Sequence, residues 1–213
     1  TPIARCCSEQ PSQAPVALTS PTPTSAATKL TDRNILVGVT GGIAAYKSAS
    51  LVSKLAQAGA KVTVAMTESA TRFVTPLTFQ ALSAQPVYTS PWDQIDSFDP
   101  QHIALAERTD VAIVAPCTMD CLARLALGHT SDAVTLILSA VDRATTPVLL
   151  SPSMNAVMWR QPATQRHIAT LAGDGFTLIE PASGWQACRT DGPGRMPEPE
   201  TLFDHVVGAL PGS

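Results

Sequence analysis

Three stretches of the 213-residue chain hold side chains able to do chemistry, and each follows a short apolar run. In Thr40-Gly41-Gly42-Ile43-Ala44-Ala45, two glycines after a β-branched run let backbone N–H groups approach an anion, and a following helix adds a favourable dipole. The dinucleotide pattern G-x-G-x-x-G is not met, because Gly38, Gly41 and Gly42 stand at the wrong intervals and Glu68 lies further on than the ~20 residues usual for a ribose acid. A plain tight strand-to-helix turn is an equal reading of that loop. Met66-Thr67-Glu68-Ser69-Ala70-Thr71-Arg72-Phe73 supplies hydroxyls for a phosphate from Thr67 and Ser69, and an aromatic from Phe73; either hydroxyl would also serve as an ordinary helix N-cap. In Pro152-Ser153-Met154-Asn155-Ala156-Val157-Met158-Trp159 the asparagine stands at a strand-to-helix junction, where capping is again the ordinary role. His102 offers an imidazole, a side chain able to act as a base, and Cys188 a thiol that can give a proton. Taken singly, His102 reads as a surface histidine in a loop after Asp99-Pro100, and Cys188 as a small buried apolar residue. His129, His167 and His205 read as structural.

The elements that must position these groups follow from periodicity. Ile35–Val39, Val62–Met66, Val111–Ala115 and Val148–Leu150 are short, near-continuous apolar runs expected to be strands, with Phe176–Ile179 a fifth. Helical spacing fills Ile43–Ala58, closed by Gly59 as C-cap, and recurs over Thr71–Ala84, Cys121–Leu127, Asp132–Val141 and Ala163–Ala172. Apolar strands alternating with helices imply an α/β fold, a doubly wound parallel sheet covered on both faces. Ligands of such sheets bind beyond the carboxyl ends of the strands, where the loops named above lie.

Composition bounds the rest. Hydrophobic residues make up 45% of the chain, aromatic residues only 5% and charged residues 15%, which suits helices packed on a buried sheet better than an aromatic-rich sandwich. A net charge of -3 without a basic run gives no electrostatic footprint for nucleic acid, and no apolar stretch approaches the ~20 residues that span a membrane. Five cysteines, an odd number in a chain too large to need stapling, point to reduced thiols in a cytoplasmic protein. Cys117 and Cys121 lack a second ligand pair at zinc spacing, so no metal is expected. Residues 1–30 contain five of the 18 prolines, none of the 12 glycines, and only Arg5, Glu9 and Lys29 as charges. Runs such as Ser20-Pro21-Thr22-Pro23-Thr24 bury too little to offset ordering, so residues 1–32 are expected to be a flexible tail and 33–213 one domain. A transit peptide would be richer in Arg, and a signal peptide would need a longer apolar centre.

Pro152–Trp159 fulfils every fixed position of P-x-M-N-x-x-M-W, and with it the chain resembles the homo-oligomeric flavin-containing cysteine decarboxylases. The resemblance runs from about Asn34 to Pro199. It also takes in Val39-Thr40-Gly41-Gly42-Ile43-Ala44-Ala45-Tyr46-Lys47, the segment Gln101-His102-Ile103-Ala104-Leu105, and Ala187-Cys188 followed by Gly192-Pro193-Gly194-Arg195-Met196. It implies a three-layer, Rossmann-like, flavodoxin-type domain that binds FMN through Gly41, Gly42, Ile43, Thr67 and Ser69, with Phe73 nearby. Thr118, Met119, Asp120 and Cys121 in the third loop, and Ser153, complete the cofactor set. His102 matches the catalytic base, Asn155 the group that holds the substrate carboxylate, and Cys188 the acid that protonates the reduced intermediate. Met154 joins Asn155 at the substrate, while Trp185, Ala187 and Met196 belong to a flap that closes over it. FMN carries the difficult step: hydride removal from the thiol-bearing carbon places a C=S group β to the carboxylate, and CO₂ loss then has an electron sink.

The resemblance implies decarboxylation of 4′-phosphopantothenoylcysteine to 4′-phosphopantetheine in coenzyme A synthesis, by a homotrimer or a dodecamer of trimers with FMN between subunits. The length leaves no room for a fused synthetase, so that partner is expected as a separate chain. A peptidyl-cysteine decarboxylase and a regulatory, non-catalytic FMN-binding protein are the alternatives; flavin prenyltransferases lack the Met-Asn motif. Two positions depart from the family. The third loop, usually P-A-S-A-N-T, reads Pro116-Cys117-Thr118-Met119-Asp120-Cys121, putting a carboxylate where an amide is usual, and Arg189 follows Cys188 where glycine is common. Arg189 or Arg195, with backbone amides at helix ends, is expected to meet the phosphates.

Overall fold

The computed structural model describes residues 30–92 and 100–210; up to residue 29 the expected tail, with Cys6 and Cys7, lies outside the described residues. β1 (Asn34–Val39), β2 (Lys61–Met66), β3 (Val87–Tyr88), β4 (Val111–Cys117), β5 (Val148–Pro152) and β6 (Thr177–Leu178) form one parallel sheet in the order β3-β2-β1-β4-β5-β6. Alternate residues of the central strands feed two separate cores. Ile35, Val37 and Val39 of β1 pack with Ile113 and Ala115 of β4 on one face, while Leu36, Ala112 and Val114 face the other. That two-sided burial explains why these strands are apolar throughout rather than alternating. Each fully buried side chain of this size stabilises by ~1.5–3 kcal/mol, so the central strands carry most of the sheet's stability.

On the first face lie α1 (Ala45–Gln57), α3 (Pro76–Ser83), which buries Phe79, and α9 (Pro199–Ala209), which buries Leu202 and Val206. On the other lie α4 (Gln101–Arg108), α5 (Met119–Ala126), α6 (Ala133–Ala140) and α8 (Pro162–Gly173). Gly38, in mid-strand, permits the close approach of α6: a Cβ there would stand 2.9 Å from Val134 Cγ1. Leu30, on the tail side of the expected boundary, is fully buried in the first core.

Several expectations shift. The single helix expected over Thr71–Ala84 is two, α2 (Glu68–Thr71) and α3, because Pro76 occupies the first turn of the second and cannot continue the first. His102 lies not in a loop but in the first turn of α4, directly after Pro100. The strand expected over Phe176–Ile179 is only Thr177–Leu178, and that over Val148–Leu150 runs on to Pro152. Beyond the sheet, α7 (Ala156–Trp159) follows β5, and β7 (Ala182–Trp185) and β8 (Asp191–Arg195) form an antiparallel hairpin of their own. No helix among the described residues is long and apolar enough to cross a membrane.

Candidate active site

The sheet reverses its winding between β1 and β4, and a cavity of about 1350 Å³ opens at the carboxyl ends of the strands beside that switch point. Thr40 ties its two sides together: its hydroxyl donates to Pro116 O at 2.7 Å and accepts from Thr118 N at 3.0 Å. The following helix, α1, begins without a side-chain cap, since Ala44 occupies the N-cap position. Among the described residues, the N–H groups of Gly41, Ile43 and Ala44 meet no protein acceptor. An uncapped helix end beside free loop amides is a cradle for an anion. Gly41 is needed there because a Cβ would lie 2.4 Å from Ser69 Cβ, so the loop and α2 are in backbone contact. Thr67 caps α2 by accepting from Ala70 N at 3.3 Å, which leaves its hydroxyl hydrogen for a ligand. Both descriptions of Thr67, as cap and as ligand group, are therefore compatible.

Gly41, Gly42, Ile43, Thr67 and Ser69 all line this cavity, as do Thr118, Met119, Asp120, Cys121 and Ser153. Phe73 does not line it and is half exposed elsewhere. Asp120 is turned toward Arg124, whose Nε donates to its carboxylate at 2.8 Å; Arg124 also donates to Ser131. The Asp120 carboxylate in turn holds the guanidinium pKa above its ordinary value. The departure from the family's amide thus comes with its own counter-charge. Below it, the Cys121 thiol is held well above the usual thiol range, first by its hydrogen bond with Cys117 and then by burial.

The opposite wall is made by the Met154–Trp159 segment and the β7–β8 hairpin. Asn155 is the N-cap of α7: its Oδ1 accepts from Val157 N at 2.7 Å, which fixes the amide so that Nδ2 points to Cys188 Sγ at 2.9 Å. The Cys188 thiol also meets Thr190 Oγ1 at 3.0 Å. Hydrogen bonds from Thr190 and then from Asn155 lower its pKa below the ordinary thiol value. Cys188 is exposed, not the small buried residue that its type alone suggested. Met154, Trp185, Ala187 and Met196 stand in the same cavity wall, with the Trp185 ring mostly open to solvent. Arg189, at the hairpin tip, has a left-handed φ of 63°, the conformation that explains a preference for glycine there.

His102 does not line this cavity. It borders a small adjoining one with Tyr88, Leu105, Leu136 and Ile137, and Ser90 and Pro91 line both. Three residues that sequence reasoning gave no role also face the site. Lys47 is nearly buried, with Nζ 2.7 Å from Glu198 Oε1 and 3.3 Å from Met196 O, so it anchors the strand end that carries Met196. Arg124 and Gln186 line the cavity too. Only Lys47 lay within a motif; nothing in the spacing marks the other two.

The doubly wound sheet that positions this site has counterparts among known proteins. Residues 23–211 match the model of the Flavoprotein family, and the chain belongs to that family. It is 48% identical over 173 residues to the coenzyme A biosynthesis bifunctional protein CoaBC of Bacillus subtilis, a match covering 81% of this chain and 42% of the relative. The chain thus spans less than half the length of the curated relatives it matches. Among solved structures, it resembles a PPC decarboxylase mutant complexed with pantothenoylaminoethenethiol, with a TM-score of 0.72, 29% identity, and coverage of 82% of this chain and 96% of that one. It also resembles the FMN binding protein AtHal3, with a TM-score of 0.72, 30% identity, and coverage of 82% and 95%.

Proposed function

We propose that the domain of residues 33–213 is an FMN-dependent carboxy-lyase that decarboxylates 4′-phosphopantothenoylcysteine to 4′-phosphopantetheine in coenzyme A biosynthesis. The observation that carries this is the Asn155–Cys188 pair, an amide donor 2.9 Å from an exposed thiol on the wall of the cavity. The residues fit FMN: the uncapped start of α1 and the free amides of the first loop suit its phosphate, with Thr67, Ser69 and Thr118 adding hydroxyls and Gly41 and Gly42 allowing close approach. FMN supplies the hydride exchange that gives loss of the carboxylate an electron sink. Asn155 Nδ2 holds the substrate carboxylate, and Cys188 Sγ carries the proton delivered to the neighbouring carbon. Asn155 Nδ2 can donate to a carboxylate without losing its orientation, because Oδ1 is committed to capping α7. Lys47 and Arg195 line the cavity and share Glu198 as their partner, at 2.7 and 3.4 Å, which leaves one positive charge for an anionic substrate.

His102 takes the role of base in this scheme, and because it lines the adjoining cavity rather than the one that holds Asn155 and Cys188, we read it as serving the site of another copy of the chain. We therefore read the assembly as a homotrimer, or a dodecamer of trimers, in the cytoplasm, with a synthetase as the companion activity. Exposed Ile43 and Trp185 on the cavity rim give such a neighbour an apolar surface. The test is to incubate purified protein with phosphopantothenoylcysteine and follow mass loss equal to CO₂. Product should form without added nicotinamide, and Asn155→Asp, which removes the amide donor and sets a like charge against the substrate carboxylate, should lower the rate by about 10²-fold or more. A parent that does not turn over, or an Asn155→Asp variant of undiminished rate, would sink the assignment.

A further inference from the structure

Asn155 and Cys188 come from elements 33 residues apart, and neither can set the distance between them. Gln186 is their common partner. It is only 6% exposed, and both ends of its carboxamide are engaged. Nε2 donates to Pro193 O at 2.9 Å and to Met154 O at 3.3 Å, and Oε1 accepts from Ala156 N at 3.1 Å. These bonds join the hairpin to the Met154–Ala156 segment across a contact with no room to spare: a Cβ on Gly194 would lie 2.2 Å from Met154 O, and one on Gly192 2.9 Å from Ala156 Cβ. Three more groups converge on the same Oε1, Thr190 Oγ1 at 3.4 Å, Asn155 Nδ2 at 3.5 Å and Cys188 Sγ at 3.6 Å. A carboxamide oxygen has two lone pairs, so beyond the Ala156 N–H one acceptor site is shared by the three groups around the thiol.

We infer that Gln186 is a positioning residue whose carboxamide clamps the hairpin onto the Met154–Ala156 segment and turns its oxygen toward the Cys188 thiol, fixing that thiol beside Asn155 as a proton donor. The clamp stands on hydrogen bonds alone; its consequence for turnover rests on the decarboxylase function proposed above. The charged side chains nearest in sequence to the thiol are Arg189 and Asp191 on the hairpin itself, and the facing segment Met154–Met158 carries none.

The experiment follows alkylation of Cys188 by iodoacetamide, read by peptide mass spectrometry from neutral to alkaline pH, in the full-length parent and two variants. Gln186→Met keeps the length of the side chain and loses both polar ends, which unties the hairpin from the Met154–Ala156 segment and so parts the Asn155 amide from the thiol. Gln186→Glu keeps the acceptor, loses the Nε2 donor and sets a carboxylate beside the thiol. Both should move the alkylation midpoint upward, Gln186→Glu by about one pH unit or more. Both should also lower decarboxylation about tenfold or more, with FMN absorbance retained. Profiles that superimpose on the parent's would overturn the inference whatever the rate does. Should Gln186→Met fail to fold, Gln186→Leu takes its place, because a carboxylate beside the thiol raises the midpoint with or without the clamp. A parent without decarboxylase activity would refute the proposed function but leave the midpoint shift as a test of the clamp.

Discussion

The Asn155 carboxamide works at both ends, one oxygen lone pair closing the first turn of α7 and the amino group reaching the thiol. This division matters because an amide with one committed end cannot flip. The thiol's other neighbour is Thr190, the larger contributor to its lowered pKa. Thr190→Val removes a donor that favours the thiolate, so the midpoint must rise, toward the ordinary thiol value. Alkylation of Cys188 should therefore slow several-fold at neutral pH and match the parent in strong alkali, where both are thiolate. An unchanged rate at neutral pH would show that the 3.0 Å contact does not act on the thiol. At this scale the sequence was informative where residues sit in a dense motif, as at Asn155, and silent at Gln186 and Arg124. Those two are ordinary polar residues whose importance comes from what the chain folds against them. His102 marks the other limit: a histidine can be recognised by type and order, but which cavity it faces depends on a second surface.

Among the elements, the central strands were legible because burial on both faces leaves no polar alternation to obscure them, as in Val111–Ala115. The short ones were not. β3 and β6 have two residues each, too few for any period, and β8 is Asp-Gly-Pro-Gly-Arg, a composition that argues against a strand. Its glycines answer to packing on Met154 and Ala156 rather than to propensity. Gly38 is a similar case, a strand glycine explained by Val134 on α6. Gly38→Ala puts a methyl 2.9 Å from Val134 Cγ1 and 3.3 Å from Val114 Cγ2, both short branched groups unable to swing aside. The expected cost is ~1–3 kcal/mol of unfolding free energy, read as a lower denaturant midpoint with an unchanged slope. A variant as stable as the parent would mean that α6 can retreat from the sheet.

For the whole molecule, His102 lines a cavity that adjoins the one holding Asn155 and Cys188, and which copy's site it serves can be tested. If one copy lends its histidine to the cavity of another, mixing inactive His102→Asn with inactive Cys188→Ala, after dissociation and reassembly, should restore activity to about a quarter of the parent's, the fraction of shared sites that receive both intact groups. If each histidine served its own chain, every site would carry one defect and no activity would return. The form of the sheet limits how copies can meet. Its two edges are strands of only two residues, so each offers too short a row of backbone donors and acceptors for another sheet to continue it. Growth of this six-stranded sheet by strand addition, the open-ended route toward fibres, is thereby disfavoured, and its copies are left to meet through side-chain surfaces such as the cavity rim, where rotational symmetry can end association at a fixed number of copies.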